Sequence, residues 1–188
     1  MGDSGEQSSA VGRISSRRIY SGKVISVDLD EVQFPDGTTG ELEMVRHSGA
    51  SAVVPLLNSG KELQVVLVRQ YRYAANGYIY EIPAGRLAPD ETPESCASRE
   101  LKEETGYSAA AFRKLTTIYT TPGFTDERIH LFVAEQLTPG KSAHEPDEFL
   151  ELHPVSLSEA VDMVRTGKIV DAKTCIALLL AELMLDSR

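Results

Sequence analysis

Apolar and polar positions along this chain change period three times, and each change marks a different kind of element. From "RRIYSGKVISVDLDEVQF" to "GELEMVRHSG" the residues alternate or run β-branched, the pattern of strands with one face on a core. "PDG" at Pro35 to Gly37 interrupts that region and predicts a turn between strands. "SAVVPLL" and "ELQVVLVRQYRY" are richer in Val and Leu and predict better-buried strands. "YIYEIPAG" predicts a short strand ended by Pro83 and Gly85. The period then becomes helical. Thr92 followed by Pro93 reads as an N-cap with proline at the first helical position, and Gly106 as a C-terminal stop, so one helix is predicted from about Pro93 to Thr105. Strands follow at about 113–120 and 127–136, then the polar loop "LTPGKSAHEPDE". In "SLSEAVDMVRTG", Leu157, Val161 and Val164 recur at helical spacing before Gly167. The last segment, "DAKTCIALLLAELMLD", is apolar around much of its circumference and predicts a well-buried helix. Residues 1 to about 13 read as a flexible polar tail, 14–48 as an N-terminal strand region, and 49–188 as the main domain. The fold class is α/β, strands with few helices packed on them.

Composition narrows the functional classes. At 188 residues the chain is long enough for one domain with a proper core, and 41% hydrophobic with 25% charged residues is globular usage. No apolar run approaches the ~20 residues that cross a bilayer, and the N-terminus has no signal-peptide stretch. Cys96 and Cys175 form no metal or disulfide pattern, so a cytoplasmic location is expected. A net charge of −9 argues against a nucleic-acid partner. It still allows a phosphorylated small molecule if cations mediate the contact.

The candidate chemistry sits in "AGRLAPDETPESCASRELKEETGY", which gathers Glu91, Glu94, Glu100, Glu103 and Glu104 around a predicted helix. Residues three and four apart share a helix face, so Glu100 neighbours both Glu103 and Glu104, while Ala97 and Leu101 point elsewhere. Like charges at that spacing oppose the helix unless something positive lies between them. A hard divalent cation such as Mg²⁺ suits carboxylate and carbonyl oxygens. A solvated acidic face with Arg99–Glu103 as a surface pair is the alternative.

The full spacing separates the two. Gly85, five residues, Glu91, seven residues, Arg99-Glu100-Leu101, one residue, Glu103-Glu104, one residue, Gly106-Tyr107 resembles the Nudix box, G-x5-E-x7-R-E-U-x-E-E-x-G-U, with U bulky and aliphatic. All seven fixed letters match, and the only departure is Tyr107 at the last U. At residue frequencies of roughly 7%, seven letters coincide by chance on the order of 10⁻⁶ over such a chain. The resemblance implies an α/β/α sandwich around a mixed sheet, and hydrolysis of nucleoside diphosphates linked to another group. It implies that Glu100, Glu104 and Glu103, with the carbonyl of Ala84, hold Mg²⁺ (or Mn²⁺), and that Arg99 orients a box glutamate.

Outside the box, "VRHSGASAVVPLL", "VVLVRQYRY", "YEIPAG" and "TTPGFTDE" resemble the ADP-ribose pyrophosphatase branch. That resemblance implies Mg²⁺-dependent cleavage of ADP-ribose to AMP and ribose 5-phosphate, with other nucleoside diphosphate sugars such as GDP-mannose as the alternative substrates. A non-catalytic ADP-ribose sensor is a third reading, set against by the complete set of box glutamates. Arg72 is the substrate contact this resemblance implies, with a surface ion pair as the alternative, and Pro122 stands where the branch has a typical proline, or starts a turn. Glu81 is a candidate substrate contact or a strand-end partner for a nearby arginine, and Phe124 a candidate stacking group or a loop anchor. A carboxylate of the loop at 145–148 is the implied general base: Glu145, Asp147 and Glu148 are all available, with Glu148 favoured. The branch also implies a homodimer whose N-terminal strands cross to the other subunit.

Overall fold

A computed structural model describes residues 11–58, 60, 62–142 and 150–186. Contacts between residues divide the chain into two compact units, one of residues up to His47 with Thr121–Glu127, the other of Ser48–Thr120 with Arg128 onward.

The first unit is a three-stranded antiparallel sheet in the order β1-β2-β3, with β1 Gly12–Ser21, β2 Ser26–Gln33 and β3 Thr39–Arg46. The first strand opens at Gly12, and residues 1–10 of the expected tail lie outside the described residues. The turn at Pro35–Gly37 lies where "PDG" placed it, closed by Phe34 N donating to Thr38 O at 2.8 Å. Segment 121–127 joins this unit through the backbone: Val45 N donates to Phe124 O at 2.8 Å, and Asp126 N to Val45 O at 3.3 Å. Arg46 and the backbone N–H of His47 both donate to the Asp126 carboxylate. A loop that reads as part of the main domain in sequence thus belongs with the N-terminal strands. Asp28 and Asp30 are buried here, and the guanidinium of Arg46 bonds both, with Arg18 also on Asp28. Those cations satisfy carboxylates that burial alone would penalise.

The second unit is the α/β/α sandwich. Its mixed sheet runs β10-β5-β4-β9-β8, with β6 on β5 and β7 on β4. The strands are β4 Ala50–Asn58, β5 Leu63–Arg72, β6 Gly77–Glu81, β7 Ala84–Arg86, β8 Ser108–Tyr119, β9 Arg128–Thr138 and β10 Leu150–Ser156. β4 is the hub. Its first half pairs antiparallel with β7 and parallel with β9, and its last three residues pair with β5. Such a strand is covered on both faces, which is why "AVVPLL" is continuously apolar rather than alternating. The strand expected to end at Pro83 and Gly85 ends at Glu81 instead, and Gly85 sits inside β7. Pro83 cannot donate to a ladder, so the chain breaks there and re-pairs with a different strand.

Alternation along β4 and β9 sorts side chains between two cores. Val53, Phe132 and Ala134 face α1 (Pro93–Thr105), meeting its Ala97 and Leu101. Ala52, Val54, Leu131 and Val133 face the other layer, α2 (Leu157–Arg165) and α3 (Ala172–Asp186), meeting Val161, Met163, Ala177 and Leu178. Fully burying a side chain such as Leu101 is worth about 1.5–3 kcal/mol. The last helix departs from expectation. Its Thr174, Ala177, Leu178 and Ala181 are buried, but Leu179 and Leu183 are 41% and 62% exposed. One stripe meets the sheet, and an apolar circumference does not imply burial all round.

Candidate active site

The helix that carries the acidic run is built by its caps. Thr92 Oγ1 accepts from Ser95 N at 3.2 Å, Pro93 starts the first turn, and Gly106 takes the left-handed conformation at φ 76° while its N–H donates to Lys102 O. These are the predicted bounds. The resulting register turns Cys96, Ala97, Glu100, Leu101 and Glu104 inward. Two of those five are carboxylates.

Arg99 organises the acids. Its Nε and Nη2 clasp both oxygens of Glu91 at 2.8 and 2.9 Å, and its Nη1 donates to Glu100 Oε1 at 2.5 Å and Glu103 Oε2 at 3.0 Å. Nη2 also donates to the carbonyl of Arg86 at 3.1 Å, tying β7 to the helix. The clasp from Arg99 holds the Glu91 carboxyl down to about 2, and Ala88 N donates to the same side chain. The guanidinium beside Glu91 is in turn held well above its ordinary value. Sequence spacing anticipates the Arg99–Glu103 pair, but not that one guanidinium serves three glutamates.

Glu104, one turn beyond Glu100, is 3% exposed, and its Oε1 accepts from Ala84 N at 3.4 Å. The β6–β7 turn is therefore pinned to the helix at Ala84, the residue whose carbonyl is the expected metal donor. Val53 N donates to Pro83 O at 2.9 Å and fixes the same turn from the sheet side. At the next position, a Cβ placed on Gly85 would overlap the Glu100 carboxylate. Only glycine leaves room for that side chain.

Whether these groups suit a divalent cation can be judged from charge and donor type. Glu91, Glu100, Glu103 and Glu104 bring four negative charges against the single positive charge of Arg99, leaving three. Two of the carboxylates are buried. All candidate donors are oxygens, the set a hard cation takes. The residues fit. Among the described residues, no three His, Cys, Asp or Glu side chains are gathered closely enough to hold a metal unaided. Arg99 draws Glu100 and Glu103 onto itself, and the remaining expected donor is a backbone carbonyl.

The other expected residues fall in distinct places. Arg72, ending β5, donates from Nε and Nη2 to Glu81 at 2.6 and 2.9 Å, and Glu104 also raises its affinity for a proton through charge alone. Arg72 thus feels the charge of the acidic face through Glu104. Glu81 is 2% exposed. Burial pushes its carboxyl up, but bonds from Arg72 and the charge of Lys173 outweigh that and hold it below the ordinary carboxylate range. Pro122 and Phe124 lie in the segment 121–127 of the first unit, Phe124 half exposed. Glu145, Asp147 and Glu148 lie outside the described residues. Lys173, which reaches Glu81 from α3, escaped the sequence reading, because "DAKT" signals only a helix start.

Comparison with known proteins follows the same outline. The NUDIX domain profile matches residues 46–177. The chain is 42% identical over 167 residues to an ADP-ribose pyrophosphatase of Bacillus subtilis, covering 88% of this chain and 89% of that one. It is 42% identical over 159 residues to a GDP-mannose pyrophosphatase of Cronobacter sakazakii, covering 76% and 82%. The fold is shared with a crystal structure of an ADP compounds hydrolase at TM-score 0.80 and 21% identity, covering 94% and 95%. A family of hydrolases that depends on divalent metal accounts for carboxylates buried beside a glycine that yields them space, and with most of its length inside the matched profile this chain belongs to the NUDIX family.

Proposed function

We propose that the protein hydrolyses the diphosphate bond of ADP-ribose, giving AMP and ribose 5-phosphate, with Mg²⁺ as the metal (Mn²⁺ as substitute). The observation that carries this reading is Glu100 and Glu104, buried one turn apart beside Ala84 and Gly85, in a chain 42% identical to an ADP-ribose pyrophosphatase over nearly the full length of both.

When bound, the metal supplies positive charge to the diphosphate oxygens and acidifies the attacking water. Glu100, Glu104 and the Ala84 carbonyl would hold it, with Glu103 at the exposed end of the same face. Arg99 keeps Glu100 and Glu103 in place and sets Glu91 between loop and helix. Arg72 takes the diphosphate, supported from beneath by Glu81. Phe124 and Pro122 are assigned to the base or sugar. A carboxylate among Glu148, Glu145 and Asp147, with Glu148 first, accepts the proton of the water as its oxygen bonds to phosphorus and the bridging P–O bond breaks.

The second reading is a different nucleoside diphosphate sugar, GDP-mannose first, supported by the identity to the GDP-mannose pyrophosphatase. We place either enzyme in the cytoplasm, in keeping with two free cysteines. A homodimer is proposed on the N-terminal unit. Every residue of β1 is exposed, including Ile14, Ile19 and Tyr20, and a second copy is the partner that these three exposed apolar side chains suit. Light scattering on the purified protein checks that assembly.

The deciding experiment offers Mg²⁺ with ADP-ribose, GDP-mannose, UDP-glucose, NADH or diadenosine polyphosphates and resolves the products, with Glu104→Gln as control. Fastest release of AMP from ADP-ribose, abolished by Glu104→Gln, is the expected result. A faster rate on another sugar nucleotide replaces the substrate but keeps the chemistry.

A further inference from the structure

The first turn of α3 anchors the chain just before the metal-facing turn. Asp171 Oδ2 accepts from Thr174 N at 3.0 Å and from Thr174 Oγ1 at 2.5 Å. The Thr174 hydroxyl oxygen accepts in turn from Ile82 N at 2.9 Å, in a fully buried bond across 92 residues of chain. Lys173 lies between these groups. Its Nζ donates to Asp171 Oδ2 at 3.0 Å and to Glu81 Oε2 at a shorter distance. Glu81 is therefore held between two cations, Lys173 on the inner side and Arg72 on the outer. Their side chains are 11% and 42% exposed.

The charges in this cluster are few enough to sum. Arg72 and Lys173 balance Glu81 and Asp171. Without Lys173 the cluster is negative by one, and the deficit falls on Glu81, whose remaining partner in the cluster is Arg72. The guanidinium of Arg72, which already gives Nε and Nη2 to Glu81, would then be the one cation of the cluster left on that carboxylate. A buried carboxylate that loses one of two partners also pulls harder on the other.

We infer that Lys173 is a positioning residue for substrate: by bonding Glu81 from the buried side, it keeps the cluster around Arg72 neutral rather than negative, so that Arg72 can meet the substrate's diphosphate. This role rests on the assignment of Arg72 to the diphosphate in the hydrolase reading. It makes α3, which supplies nothing to the box, a determinant of substrate affinity. Lys173 acts on binding of the anion and not on the metal donors, so its effect falls on KM and spares both kcat and metal affinity.

The test compares wild type, Lys173→Met, Lys173→Arg, Glu81→Gln and the Glu81→Gln/Lys173→Met double variant, reading kcat and KM for ADP-ribose and Kd for Mn²⁺. Lys173→Met is expected to raise KM tenfold or more, with kcat within threefold and Mn²⁺ affinity unchanged, and Lys173→Arg to restore KM. In the Glu81→Gln background Arg72 no longer faces a carboxylate at position 81 and Lys173 is left with Asp171 alone, so loss of Lys173 leaves KM within threefold. That pair carries the comparison if Lys173→Met alone does not fold. An unchanged KM in a folded Lys173→Met, a loss in kcat or Mn²⁺ affinity instead, or an equal tenfold loss in the Glu81→Gln background overturns the inference. If wild type cleaves another nucleotide sugar, the substrate reading fails alone and the variants are compared on that sugar. If it cleaves none, the calorimetric Kd for ADP-ribose replaces KM, and absence of binding overturns both.

Discussion

Gly85 and Glu100 occupy adjoining space so completely that a β-carbon on the first would overlap the carboxylate of the second. The two residues come from different elements, β7 and α1. A glycine in a strand with ordinary backbone angles has no conformational reason to be glycine. Its reason here is the close approach of a ligand-type side chain.

Gly85→Ala therefore separates fold from function. The atoms it displaces are the far end of a flexible side chain, so the helix does not have to move. Stability should change by less than about 1 kcal/mol, the ordinary range for a site without core disruption. Glu100 is pushed out of its place, and a misplaced catalytic group costs on the order of 10²-fold. The expected result is a native-like melting temperature with hydrolysis of ADP-ribose reduced about a hundredfold and Mn²⁺ bound more weakly. Full activity would mean that Glu100 is not a ligand.

The Arg99–Glu91 clasp gives a pH signature in metal-free protein. Glu91 has its folded-state carboxyl at about 2, below the ~4.3 of an unfolded glutamate. A depressed carboxyl stabilises the fold above the unfolded value and loses that contribution as pH falls through the folded one. Arg99→Gln, compared with wild type in chelator, should be less stable to denaturant at pH 6 by at least about 1 kcal/mol, a modest figure because the guanidinium is partly solvated. The gap should narrow between pH 4.5 and 2. A gap constant with pH would show that Arg99 acts through packing alone.

The two thiols should be slow to react in the native state. Cys96 is fully buried, and that burial, aided by the charge of Glu91, pushes its thiol up to about 11; burial raises Cys175 as well. The thiolate is the reactive form. Titration with a disulfide reagent at pH 7.5 should count both cysteines after denaturation, and Cys96 at least tenfold more slowly before it. Prompt labelling of Cys96 in native protein would mean that α1 opens from β7.

What the sequence made legible was what local chemistry decides. Thr92, Pro93 and Gly106 state the bounds of α1 within the chain itself, and the box spacing carries the acidic face with them. The Val- and Leu-rich runs marked the better-buried strands, and the resemblance of the box implied the sandwich. What stayed hidden depends on partners distant in sequence. β7 is three residues long and exists because β4 offers an edge after Pro83. Strand β8 starts at Ser108, ahead of the expected 113, because pairing with β9 overrides the weak strand preference of Ala109 to Ala111. Lys173 carries no signal in the sequence, because its partner Glu81 ends β6, 92 residues earlier in the chain.

Gly106 poses the opposite case to Gly85, and its substitution should fail in the opposite way. Its φ of 76° is one that L-residues avoid, and a Cβ there would meet backbone, Ser142 N at 2.8 Å and Gly140 O at 3.1 Å. Backbone atoms cannot rotate aside as a carboxylate can. Gly106→Ala thus combines the left-handed penalty, about 1 kcal/mol, with a displacement of the 140–142 segment. A loss of roughly 2 kcal/mol or more is expected in denaturant unfolding. Protein that remains folded should bind Mn²⁺ with near-native affinity, because Glu100 and Glu104 lie earlier on the helix than its C-cap. If Gly106→Ala instead left stability intact and removed metal binding, the end of α1 would have to be counted in the metal site, and the division between a glycine for the fold and a glycine for the chemistry would fall.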